Sequence, residues 1–256
     1  MKIRFLYHAD AVAASGYITL PVQETMPAQA AVAAPILGGY ASAESTNFRH
    51  GKYLSFDRAQ SHVVGSYSEK DKAHGTLATT TVEGLNIMDV VTCDRIVARI
   101  TTKHPESPGD SAFIPLGSRF ENLRIAGHLI HIDLATDIFA EHDTWSKLSD
   151  AHAKGGNVRT ELEKLAITRA EGGGLPQKKG MMYCSLARRP DKLPGGLTWN
   201  GHGIYVPHFG TLYLGEYFVT QTMHRLLMLH VDLGCSVEGC YGIGGADGNG
   251  GPPPSN

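Results

Sequence analysis

Arg225-Leu226-Leu227-Met228-Leu229-His230-Val231-Asp232-Leu233 decides the class of the fold. In an extended chain, successive side chains point to opposite faces. Leu227, Leu229, Val231 and Leu233 then share one face, and Met228, His230 and Asp232 share the other. An apolar face backed by a polar one is the pattern of a half-buried strand. Residues 128–134 repeat it, with Ile130, Ile132 and Leu134 opposite Leu129, His131 and Asp133. The run 120–125 leads through Ala126-Gly127 into this second strand, which reads as a hairpin with a tight turn. Phe120 and Leu123 fall out of phase, predicting a bulge at Glu121 or Asn122.

Working outward, most apolar segments are short and bounded by Gly, Pro, Asn or Asp, the rhythm of an all-β chain. Further strands are expected at 2–7, 17–20, 62–66, 77–82, 90–100, 182–187, 203–206, 211–214 and 216–220. Glycine supports this reading: 30 of 256 residues, well above the roughly 7% usual. The glycines follow no Gly-X-Y period and mostly punctuate strands, as at Gly38-Gly39, Gly84, Gly127 and Gly215. One region differs. Thr144 reads as the N-cap of a helix, and Asn157 starts another whose Val158, Leu162 and Leu165 share a face. Residues 137–175 are therefore a helical insertion, closed by Gly172-Gly173-Gly174. The expected architecture is an antiparallel β-sandwich, jelly-roll-like, with a short β-helix as the alternative. Residues 1–241 form its single domain, and the Gly/Pro-rich stretch 242–256 is expected to be a low-complexity tail.

Composition excludes several function classes. Lys plus Arg is 23 against 25 Asp plus Glu, a net charge of −2, so this is not a basic nucleic-acid-binding chain. No apolar run approaches the ~20 residues of a membrane span. The first ten residues lack the apolar core of a signal peptide. That leaves a cytoplasmic chain, a processed one, or one exported by a route it does not show. Cys93, Cys184, Cys235 and Cys240 make no CxxC pair. Cys235 and Cys240 bracket a four-residue loop that a disulfide could close, the alternative being two free thiols.

An ordered series of segments resembles the choice-of-anchor P family of bacterial secreted or surface-attached domains. The segments are Ala13-Ala14-Ser15-Gly16-Tyr17, Ala34-Pro35-Ile36-Leu37-Gly38-Gly39, Val90-Val91-Thr92-Cys93-Asp94, Gly117-Ser118-Arg119-Phe120-Glu121-Asn122-Leu123 and Gly210-Thr211-Leu212-Tyr213-Leu214-Gly215-Glu216. The resemblance implies an all-β module with a structural role outside the cell or at its surface, and it brings no catalytic residues.

The candidate chemistry lies in two His-x-Asp pairs. Residues i and i+2 of a strand point the same way. His131 with Asp133, and His230 with Asp232, each put an imidazole and a carboxylate on one face. Were the two strands neighbours, the four groups would converge on a divalent metal or form an acid/base pair. The bland alternative is a polar outer sheet face. There is no Gly-x-Ser-x-Gly elbow and no phosphate-binding loop. Asp247-Gly248-Asn249-Gly250 resembles only a fragment of a calcium loop. The first expectation is thus a non-enzymatic, self-associating β subunit of a surface assembly such as a filament or coat, without a cofactor. The second is a metal-dependent enzyme or carbohydrate-binding module built on the His-x-Asp strands.

Overall fold

A computed structural model describes residues 5–107, 109–167, 180–234 and 236–251. The chain opens in the first sheet with β1 (Leu6–Leu20), β2 (Glu24–Gln29) and β3 (Val32–Ala33). It crosses to the second sheet for a meander of long strands, β4 (Gly39–His50), β5 (Leu54–Ser68), β6 (Ala73–Ile87) and β7 (Val91–Pro105). Short strands β8 (Ala112–Ile114), β9 (Arg119–Glu121), β10 (Arg124–Ile125) and β11 (His128–Leu129) complete that sheet. Three helices follow: α1 (Thr136–Glu141), α2 (Trp145–Lys154) and α3 (Gly156–Leu165). The chain then returns to the first sheet through β12 (Met181–Ser185), β13 (Thr198–Asn200), β14 (Gly203–Val206), β15 (Gly210–Thr220), β16 (His224–Leu233) and β17 (Glu238–Gly251). All pairings between strands are antiparallel, and the two sheets pack face to face as a sandwich.

The first sheet runs β13-β14-β15-β16-β17-β1-β2, the second β11-β10-β7-β6-β5-β4. The first and last strands thus pair inside the first sheet, β17 with β1 from Leu6↔Gly251 to Leu20↔Glu238. This corrects the expectation of a tail beginning at residue 242, and with it the boundary at 241. Residues 242–251 are the heart of a central strand. Two of their glycines sit where a side chain would collide. A Cβ on Gly250 would stand 2.5 Å from the Phe5 ring, and one on Gly248 would stand 2.9 Å from Thr102 Cγ2. Within that strand Arg225 donates to the Asp247 carboxylate at 2.8 and 3.0 Å.

Inner faces of β1 and β17 carry small residues, Ala9, Ala11, Ala13, Ala14 and Ala246, against larger ones on the opposing sheet, Phe56, Val82, Leu85, Ile96 and Ile100. Each fully buried Val, Leu or Ile stabilises by roughly 1.5–3 kcal/mol. The small residues let the sheets approach closely. Polar bonds tie the sheets at either end: His50 Nδ1 to the Tyr241 hydroxyl at 2.7 Å, and the Tyr7 hydroxyl to His74 Nδ1 at 2.7 Å.

The alternation of buried and exposed residues is not continuous along the strands. In β16 the inward residues are His224, Leu226 and Met228, then Leu229, Val231 and Leu233. Leu227, expected inside, faces outward. The same inversion occurs at Ala13/Ala14 in β1 and at Gly244 in β17. Register pairs on either side of the row keep constant sums, so the inversions lie opposite one another. The second sheet has a matching row through Asn47, Asp57, Gly84, Asp94 and Asn122. Alternate members of each row have positive φ: Ala30, Gly215 and Gly244 in one, Asn47, Gly84 and Asn122 in the other. At Gly84 a side chain is doubly barred, because φ is +65° and a Cβ would strike the Asp57 carboxylate. The bulge expected at Glu121 or Asn122 does not form, since β9 and β10 pair with β7 in one unbroken register; the change of phase there belongs to this row. Asn122 has φ of 54° and donates its amide to Asp94 at 2.7 Å.

The tight turn at Ala126-Gly127 is present, with both residues at positive φ and Ile125 paired to His128. The strand beyond it is shorter than expected. Only His128–Leu129 is strand, and Leu134 makes an isolated bridge to Ala187. The helical region begins as read, with the Thr144 side chain accepting from the Lys147 amide at 3.3 Å. α3 starts at Gly156 rather than at Asn157, and it buries Leu162 and Leu165. Phe139 from α1 packs edge-on against Tyr217 of the first sheet, with centroids 5.1 Å apart. The glycines 172–174 expected to close the insertion lie outside the described residues. Among those described, no helix is long and apolar enough to cross a membrane.

Candidate functional site

Three neighbouring strands assemble a polar cluster on the outer face of the first sheet. In β16, His230 and Asp232 project together. Across the β16–β17 hairpin, Cys240 lies opposite Asp232, and Gly242 lies opposite His230. On the other side, Tyr213 of β15 stands opposite His230, with ring centroids 5.1 Å apart. Glu216 sits just past the inversion at Gly215 and reaches the same imidazole.

Glu216 is the anchor, only 7% exposed. His230 Nδ1–H donates to its Oε2 at 2.8 Å, and the Tyr183 hydroxyl donates to its Oε1 at 2.5 Å. His202 Nε2 lies 4.0 Å from Oε1, and its ring stacks on Tyr213 at 4.8 Å. Burial alone would push the Glu216 carboxyl up, but hydrogen bonds from His230 and Tyr183 outweigh it and hold the group below the usual carboxylate range. A buried carboxylate with two donors remains ionised. His230 turns its second nitrogen, Nε2, to Asp232 Oδ1 at 3.0 Å. Contacts with Cys240 and Glu216 push its pKa up to about 10 against the opposing effect of burial. Among the described residues, His230, Asp232 and Cys240 form the one group of three ligand-type side chains whose donor atoms lie within 4.8 Å of one another.

The other expected pair is elsewhere. His131 and Asp133 follow β11 in irregular chain, both exposed. Asp133 accepts from Arg188 at 2.9 Å, and Arg188 also holds Asp137 at 2.8 Å, so this carboxylate anchors the helices. Convergence required the two strands to be neighbours, but β16 is flanked by β15 and β17. Four groups therefore do not converge on one cation. Half of the expected set survives, and Cys240 takes the third place. The disulfide expected between Cys235 and Cys240 involves Cys235, which lies outside the described residues. Sequence reading missed Glu216 and Tyr183 because nothing local marks them. Cys240 carried a usable signal, since antiparallel pairing of β16 with β17 puts it opposite Asp232.

A second feature concerns the sheet edges. β4 is a twelve-residue strand at the end of its sheet, paired along one side with β5 from Gly39↔Gly65 to His50↔Leu54. Among the described residues no strand pairs with its other side. Its sequence contains neither Pro nor Lys. The remaining ends are blunted. β2 has six residues including Pro27, β3 and β11 have two each, and β13 has three. Ile36, Leu37 and Tyr40, at 52%, 66% and 60% exposed, crowd the start of β4.

Comparison with known families gives one match, described as "Domain of unknown function (DUF8256)", over residues 5–220. Comparisons with curated proteins and with solved structures give no match. The matched span covers most of the chain, and the chain belongs to that family.

Proposed function

We propose that this member of the DUF8256 family is a non-enzymatic structural subunit that joins a second copy of itself by strand addition across β4. The observation that carries this reading is the long β4 edge, unpaired among the described residues, set against the short β2, β3, β11 and β13 at the other ends. Soluble β proteins protect such edges with Pro, Lys, bulges or brevity. β4 has one kink, at Asn47, and otherwise presents an unpaired row of backbone donors and acceptors. Pairing two β4 strands antiparallel would join both eight-stranded sheets into one continuous sheet, with Ile36, Leu37 and Tyr40 covered at its margins. A single self-complementary edge closes at a two-fold dimer. A filament or coat needs a second contact in addition. A place outside the cell or at its surface rests on the likeness to choice-of-anchor P domains.

Sedimentation and light scattering of the purified chain test this. A dimer or larger species is expected in the unmodified protein. In Ser42→Pro and Ala43→Pro, adjacent N–H groups face opposite sides of the strand. One of the two variants should stay folded, as judged by its thermal transition, and become monomeric. An unmodified protein that is monomeric at high concentration would sink the proposal.

A further inference from the structure

We infer that His230, Asp232 and Cys240 form a binding site for a zinc-type divalent cation, with a fourth coordination position open to solvent. The site is independent of the strand-edge reading, since it lies on the outer face of the other sheet.

The donor set is one imidazole nitrogen, one carboxylate oxygen and one thiol sulfur, each a zinc ligand. With metal–ligand lengths of about 2.0–2.3 Å, tetrahedral ligands stand roughly 3.3–3.8 Å apart. Here Nε2 and Oδ1 are 3.0 Å apart, and all three donors lie within 4.8 Å. Small rotamer adjustments of Asp232 and Cys240 place them on one ion.

What lifts the cluster above a chance grouping is the support behind it. A metal-bound histidine donates its other N–H to a carboxylate, which fixes the tautomer and aims the free nitrogen at the ion. Glu216 does this for His230. It accepts from Nδ1–H at 2.8 Å and leaves Nε2 facing Asp232, with Cys240 in the same cluster. Glu216 is in turn fixed by Tyr183. The orienting shell is thus buried and tied on two sides, while the ligands are half-buried or exposed. Strand register does the rest. Positions i and i+2 of β16 supply two ligands, the opposing position of β17 supplies the third, and the exposed Asp232 leaves the cluster open to solvent. Three protein ligands with an accessible fourth place is the arrangement of zinc sites that hold a water or substrate.

The experiment uses the full chain, reduced, stripped with a chelator and titrated with Co²⁺, followed by displacement with Zn²⁺. One equivalent should bind, with a thiolate-to-cobalt charge-transfer band that Zn²⁺ abolishes. Cys240→Ser should remove the band, and Asp232→Asn should weaken binding at least tenfold. Glu216→Gln, which touches no metal, should weaken it about 10–100-fold while keeping the band. Asp133→Asn should change neither. Thermal transitions of each variant without metal establish that it is folded. Absence of stoichiometric binding in the unmodified chain would overturn the inference and leave an imidazolium held between two carboxylates. Binding that survives both Cys240→Ser and Asp232→Asn would overturn it as well.

Discussion

His224 and His230 lie six residues apart on the same strand, β16, and live in opposite chemistries. His224 is inside the sandwich, fully buried, stacked on Phe113 at 4.1 Å, with no hydrogen-bond partner on either ring nitrogen among the described residues. Burial, with a smaller contribution from His104, pushes its pKa down to about 3. His230 is outside, between carboxylates, and is pushed up to about 10. An even spacing should put both on one face. They part because the alternation inverts at Met228/Leu229. One backbone feature thus sorts two identical side chains into a neutral packing element and a charged or ligating one.

The contrast gives the two histidines opposite pH signatures. The unfolded chain protonates each near 6.5. His224 resists protonation when folded, so below 6.5 the unfolded state binds more protons and stability falls until about pH 3. At about 1.4 kcal/mol per unit of pH, this removes about 2 kcal/mol by pH 5. His104, pushed down to about 4 by burial, adds to the same trend. His224→Leu should therefore gain about 2 kcal/mol over the unmodified protein at pH 5 relative to pH 7. Urea unfolding at the two pH values reads this, and an unchanged difference would break the comparison. His230 works the other way in metal-free protein. Its contribution is complete below 6.5 and fades as pH rises toward 10.

A second substitution tests the same contrast. Tyr183→Phe strips one donor from the buried Glu216 carboxylate and should cost about 1–3 kcal/mol at pH 7, measured by urea unfolding. Smallest is Asp232→Asn in metal-free protein. Its carboxylate is 51% exposed, and exposed ion pairs contribute about 1 kcal/mol or less. A loss as large as that for Tyr183→Phe would mean that Asp232, not Glu216, anchors the imidazole.

How far the sequence could be read follows from where its signals are local. Short apolar runs between turn residues made the sandwich legible, and Ala126-Gly127 and Thr144 were placed correctly because turn and cap chemistry act over a few residues. β17 was hidden. Gly-Ala-Asp-Gly-Asn-Gly has none of the β-branched or aromatic residues that signal a strand. It is a strand because β1 and β16 flank it and because the facing sheet leaves room for no Cβ at Gly248. His131 and Asp133 looked like a strand face because Ile130, Ile132 and Leu134 alternate beside them, yet the chain leaves the sheet at residue 130. Cys240 joins His230 through hairpin register, a non-local property.

The rows of inversion carry a consequence for how such a chain can change. In each sheet the extra half-step belongs to all the strands of a row together, so neighbouring registers stay matched. Deleting the extra residue from a single strand would turn one half of that strand inside out against unaltered neighbours. Gly215, Met228, Gly244 and Ala13 therefore form one line across four strands. A one-residue deletion in any one of these strands is expected to cost far more stability than one in a connecting turn.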